Sequence, residues 1–84
     1  MNGDKAREIL DALKTGVFLL SVHCAERMAE RSVTKADIQA CGRTANSCML
    51  QAQGTYRIEG FDLDGESLTV ICSADVAVLV VTIF

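Results

Sequence analysis

The chain of 84 residues is long enough for a single domain, and an apolar content of 50% is sufficient for a compact core. Its net charge of −3 excludes a broad basic face for nucleic acid, so any such contact must be local. The polar start of the chain lacks an export signal, and no apolar run has transmembrane length. We therefore expect a cytoplasmic protein that does not enter a membrane.

Four cysteines raise the question of disulfides or a metal. Cys24, Cys41, Cys48 and Cys72 include no CxxC pair. In a reducing compartment we expect free thiols that act as small buried apolar side chains. A zinc set could be drawn from His23 with three of these cysteines, but the spacing is not that of a closed zinc site. We expect neither a metal nor another cofactor.

A first helix is predicted at the start of the chain. Asp4 is its expected N-cap, the helix runs to about Thr15, and Gly16 is expected directly after it. Its apolar stripe consists of Ile9, Leu10 and Leu13. Residues 17–20 form either a short apolar strand or an extended segment that leads into the next helix.

The second predicted helix carries the pattern that is most informative about function. Ser21 is its expected N-cap, and His23, Arg27 and Arg31 follow at intervals of four residues. Four residues turn a helix by about 400°, so the three side chains share one stripe. An imidazole beside two fixed cations is typical of phosphate binding. The alternative is a solvated helix with weak salt bridges to neighbouring carboxylates. These carboxylates are Glu26, Glu30 and Asp37.

Two side chains of this helix are candidates for chemistry. The helix dipole and Arg27 disfavour the imidazolium form of His23, and a neutral imidazole suits a general base. A surface or capping histidine without a function is the alternative. The same dipole and the arginines favour the thiolate of Cys24, but no triad partner is apparent. The core side of the helix is expected to be Val22, Ala25, Met28 and Ala29.

A third helix is expected to begin with a capping box of Thr34 and Asp37 and to end at about Gly42. Ile38 and Cys41 are expected to point inward. The segment 43–53 is either a loop or a poor strand around Cys48.

The last third of the chain has strand character. Residues 56–61 alternate in the manner of a half-buried strand, with every second side chain directed to the core. Residues 62–65 are expected to form a solvated turn rather than a calcium loop. Residues 67–73 are the return strand of the hairpin. Tyr56 is expected in the core, and its neighbour Arg57 on the opposite face. The order predicts an α+β fold in which three helices precede an antiparallel meander of three strands, with one possible earlier strand.

The final segment, 76–84, is apolar at both strand parities. Three short helices readily cover one face of a small sheet and less readily both, so the second face would expose a large apolar surface. We therefore expect a homodimer or a bound partner. The alternative is that helix 4–15 crosses the second face and closes a monomer.

The residues from Ser21 onward resemble the opening of the DUF4258 family, and 81–84 resembles its last strand. The residues that carry the first match are Ser21, His23, Ala25, Arg27, Met28, Arg31, Val33, Asp37 and Ile38. The resemblance covers about residues 17–84 of a single domain, 1–84, and leaves 1–16 as an additional helix.

DUF4258 domains are often grouped with RelE-like toxins of toxin–antitoxin pairs. The resemblance therefore implies a RelE-like antiparallel sheet packed against helices, RNA cleavage without a metal, and an antitoxin partner. It also implies that His23 acts as an acid or a base, that Arg27 and Arg31 hold a phosphate, and that Thr82 faces these residues. The chain would be such a toxin or a degraded relative. A non-catalytic dimeric interaction domain is the alternative.

Overall fold

The structure, a computed structural model, describes residues 2–84 and confirms the α+β class. Its elements are α1 (Asn2–Thr15), β1 (Leu19–Leu20), α2 (Val22–Arg31), α3 (Lys35–Thr44), β2 (Ser47–Leu50), β3 (Tyr56–Phe61), β4 (Ser67–Ser73) and β5 (Leu79–Ile83). The strands form one sheet in the order β1-β5-β4-β3-β2. As predicted, the last helix ends before residue 45.

The sheet is mixed, which corrects the prediction of a purely antiparallel sheet. Strands β2 to β5 form an antiparallel meander, and β2 is the possible early strand. Leu19 and Leu20, however, pair in parallel with Leu79 and Val80. The Leu19 N–H donates to the Val78 carbonyl at 2.9 Å, so the chain joins the sheet at its β5 edge before α2 begins.

Two helix ends differ from the prediction. Helix α1 begins at Asn2, so Asp4 lies in its first turn rather than at the N-cap. The positive end of the helix dipole stabilises a carboxylate at that position. Helix α3 continues past Gly42 to Thr44. The Thr44 hydroxyl accepts a hydrogen bond from the Phe61 N–H at 2.9 Å and so joins the end of α3 to β3. Gly16 has a φ of 81° and follows α1 as expected.

The core lies between the sheet and the helices on one of its faces. Helix α1 packs on α3, α3 packs on β3 and β4, and α2 packs on β5. The fully buried side chains include Ile9, Leu13, Cys24, Ile38, Cys41, Ile58, Val70, Cys72, Val80 and Ile83. Tyr56 lies in this core and Arg57 on the other face, as predicted. Helix α1 does not cross to the second face, which is called the outer face below.

The final strand is shorter and less regular than predicted. Val76 lies in an exposed turn, and β5 begins only at Leu79. Cys72 pairs with Val80 and Ile71 with Thr82, which leaves Val81 as an extra residue in a β-bulge. Because of this bulge, Val80 and Ile83 both point into the core, although simple alternation would place them on opposite faces.

Candidate functional site at the edge of the sheet

Helix α2 runs beside the edge of β5. Ser21 is the N-cap, as predicted: its hydroxyl accepts a hydrogen bond from the Cys24 N–H at 2.9 Å. The same hydroxyl donates to the Val81 carbonyl at 2.6 Å. Six residues later, Arg27 Nη2 donates to the Ile83 carbonyl at 3.4 Å. The helix therefore follows the strand and holds Arg27 beside its carboxyl end.

The buried side of α2 was predicted correctly only at Met28. Val22, Ala25 and Ala29 are exposed, whereas Cys24 and Met28 are buried. The helix approaches the sheet from its β5 edge and buries only a narrow arc. Arg27 lies next to that arc.

Arg27 bridges the helix and the carboxyl end of β5. Its guanidinium carbon lies 5.8 Å from the centroid of the Phe84 ring, which is a cation–π distance. Its Nε is enclosed and, within the described part of the chain, has no hydrogen-bond partner. The rest of the side chain is partly exposed. The guanidinium is thus positioned by a ring and one long hydrogen bond.

The predicted salt bridges of the α2 arginines are not present among residues 2–84, where the ion pairs found are Lys5–Glu8 and Arg57–Glu59. Asp37 completes the predicted capping box instead. It accepts hydrogen bonds from the Thr34 N–H at 2.8 Å and from the Leu63 N–H at 3.1 Å. The Thr34 N–H is the main cause that lowers the pKa of Asp37, and burial opposes it.

The structure brings two of the four predicted site residues together. The Thr82 hydroxyl lies 3.5 Å from the Ile83 carbonyl to which Arg27 also donates. His23 and Arg31 lie one turn before and one turn after Arg27, and both are exposed. Within residues 2–84 neither forms a hydrogen bond with Arg27 or Thr82. Arg27 and Thr82 therefore share one acceptor at the edge of the sheet, and His23 and Arg31 lie on the exposed side of α2.

The outer face of the sheet contains a cleft of about 420 Å³ next to this edge. It is lined by Gln51, Gln53, Thr55, Arg57, Ile71, Val81, Thr82 and Phe84. Phe84 continues the pairing of β5, because its N–H donates to the Thr69 carbonyl at 2.8 Å, and its side chain lines the cleft on the outer face. No sequence pattern indicated the polar residues of segment 51–55, and only Arg57, expected opposite to the buried Tyr56, was predicted on this face.

Burial disfavours the thiolate form of the cysteines. Burial raises the pKa of Cys24, which overturns the expectation that the helix dipole and the arginines favour its thiolate. Burial likewise raises the pKa of Cys41 to about 11 and that of Cys72 to about 12. All four cysteines are free. Within residues 2–84, His, Cys, Asp and Glu side chains do not gather in groups of three that could hold a metal.

The three helices of the described chain are too short or too polar to cross a membrane.

Comparison with known proteins gives one family match. The model of DUF4258, a domain of unknown function, matches residues 20–84. The match begins just before α2, includes all four predicted site residues and leaves α1 outside. No curated protein and no solved structure matches the chain. The grouping with RelE-like toxins stays a prediction.

Proposed function

Because the chain belongs to the DUF4258 family, whose description assigns no function, we propose a function from the site: a toxin-like ribonuclease that works without a metal. The observation that carries the proposal is the course of α2 along β5. Arg27 donates to the strand end where Thr82 borders an open cleft, and His23 lies one turn earlier on the exposed side of the same helix. A general base, a fixed cation and a groove are the minimum that cleavage at a phosphate requires.

Arg27 is suited to hold the phosphate. Its present acceptor is a neutral carbonyl at 3.4 Å, which is a long hydrogen bond. A phosphate oxygen is the stronger acceptor because the hydrogen bond would join two charges. Arg31, one turn further along the same helix, adds a second exposed cation. The two arginines would stabilise the negative charge that develops on the phosphoryl oxygens in the transition state.

His23 supplies the proton transfer in this proposal. It removes the proton from a 2′-hydroxyl, and the resulting oxygen attacks the adjacent phosphorus. The bond from phosphorus to the 5′-oxygen then breaks, and the leaving oxygen takes a proton from water. The products are a 2′,3′-cyclic phosphate and a 5′-hydroxyl, and the step needs no metal.

Cleavage of a model RNA in the presence of EDTA tests this function. We expect activity in the wild type and a loss of at least about 100-fold in His23→Ala and Arg27→Ala, the range of a general base or an oxyanion donor. Arg43→Ala, which removes an exposed arginine of α3, is the control and should remain active. Expression of the wild type should arrest growth, and His23→Ala should relieve the arrest. Equal activity in the wild type and both site variants would refute the proposal.

An interaction domain without catalysis is the second candidate, and an apolar surface around β1 favours it. Val17, Leu19 and Val22 are 73%, 61% and 79% exposed, respectively. A second copy of the chain or an antitoxin could cover them. Sedimentation velocity at micromolar concentration tests self-association. A single species near 9.0 kDa would exclude a homodimer.

A further inference from the structure

We infer that the outer-face cleft binds the base of a single-stranded RNA nucleotide whose phosphate lies at Arg27, with Phe84 as the stacking platform. The inference rests on the proposed function, because RNA is taken as the substrate. It adds the part of the protein that holds the nucleotide and the residues that would read its base.

Phe84 has the properties of a stacking platform. Half of its surface is exposed, although it is held in the sheet by two hydrogen bonds with Thr69. Arg27 lies over the ring at 5.8 Å, and the ring also lines the cleft. Nucleobases stack on such rings, and a nearby arginine adds attraction for the backbone. A base on Phe84 would therefore have its phosphate within reach of Arg27.

The rest of the cleft has the polar groups needed to recognise a base edge. The Gln51 and Gln53 side chains carry amide donors and acceptors, and Thr55 and Thr82 carry hydroxyls. Ile71 supplies an apolar floor and is 8% exposed. A small number of polar groups around an apolar floor is typical of small-ligand sites, whose volumes start at about 300 Å³. The volume of about 420 Å³ exceeds that limit.

The charge around the cleft favours one nucleotide rather than a long nucleic-acid tract. Arg57 lines it, but its Nε lies 3.0 Å from a Glu59 carboxylate oxygen, so this cation is already paired. Arg27 has no carboxylate partner among residues 2–84. Arg27 is thus an unpaired cation next to the cleft, in contact with the Phe84 ring that lines it. This agrees with an acidic chain whose contact with RNA must be local.

Binding to a strand that cannot be cleaved tests the cleft separately from catalysis. The probe is a fluorescein-labelled RNA decamer with 2′-O-methyl groups, which removes the attacking hydroxyl, and the readout is anisotropy. We expect Phe84→Ala to weaken binding roughly 5- to 150-fold, the range of one lost stacking contact. Phe84→Tyr keeps the ring and should retain the affinity. Phe61→Ala is the matched control, since Phe61 is an exposed aromatic of the same sheet outside this cleft.

A second measurement does not depend on any variant. In ¹H–¹⁵N spectra of the full chain, adenosine or uridine monophosphate should shift the side-chain amides of Gln51 and Gln53. Equal affinity of Phe84→Ala and Phe61→Ala, or nucleotide-induced shifts confined to residues outside the cleft, would overturn the inference. If either of these two results is found and unmodified RNA is nevertheless cleaved, the proposed function stands and the assignment of the cleft fails. If the cleft binds the probe but unmodified RNA stays intact, the ribonuclease proposal fails and the cleft stands.

Discussion

Helices α2 and α3 have the same length, yet their polar side chains are used in opposite ways. In α3, Asp37 accepts from two backbone N–H groups and Ile38 is fully buried. In α2, Arg27 has one long hydrogen bond and an enclosed Nε that lacks a partner within residues 2–84. Asp37 of α3 is thus engaged in holding the fold, whereas Arg27 of α2 remains available for a ligand.

The largest expected effect is on the α3 side. Ile38→Ala removes a fully buried side chain from the layer between α3 and the sheet, so we expect the free energy of unfolding to fall by about 2–5 kcal/mol. Urea denaturation followed by circular dichroism measures it. Val22→Ala on α2, where the side chain is 79% exposed, should change stability by less than about 0.5 kcal/mol. Similar losses in the two variants would remove the contrast between the helices.

A smaller effect is expected at Asp37. Asp37→Asn keeps the shape but removes the charge that accepts the Thr34 and Leu63 N–H groups, so stability at pH 7 should fall by about 1–3 kcal/mol. Thermal unfolding between pH 7 and pH 2 measures this loss and its dependence on pH.

The sign of the pH dependence follows from the lowered pKa of Asp37 in the folded state. Its stabilisation is present above the unfolded-state value, about 3.9, and disappears as the pH falls through the folded value. Asp37→Asn should lack this acid-sensitive part. Asp11→Asn, an exposed change on α1, should retain it. Parallel acid profiles of the wild type and Asp37→Asn would contradict the assignment.

The smallest effect on stability is expected at Arg27. Arg27→Gln removes a long hydrogen bond and a cation–π contact at a partly exposed site, which together contribute about 1 kcal/mol or less. Urea denaturation measures the change, with Arg31→Gln as the exposed control on the same stripe. A loss as large as that of Ile38→Ala would make Arg27 a structural residue and weaken the phosphate role.

The sequence predicted those parts of the fold in which local pattern and packing agree. Strands β3 and β4 have the predicted bounds, because alternation and a glycine turn mark them. The capping box of α3 was predicted from two residues, since it depends on local hydrogen bonds alone. Such elements need no knowledge of what lies across the fold.

The predictions failed where contacts between residues far apart in the sequence determine the structure. The buried side of α2 depends on its approach from the sheet edge, which the residues of the helix do not encode by spacing. That Thr82 faces the arginines of α2 was expected only through the family resemblance, and the two side chains that share the Ile83 carbonyl are far apart in the sequence. The cleft residues Gln51 and Gln53 lie in a polar segment without periodicity, so no pattern marked them.

The outward position of Thr82 depends on the extra residue at Val81, because the bulge moves the residues after it to the opposite face of the sheet. Five residues of β5 lie opposite four of β4. If β5 paired regularly from Val80 onward, Val81 would stand opposite Ile71, Thr82 would enter the core and Ile83 would leave it. Burial of an isoleucine stabilises the observed register by about 1.5–3 kcal/mol. A deletion of Val81 should therefore preserve both faces, whereas a deletion of Thr82 would replace the hydroxyl with an apolar side chain.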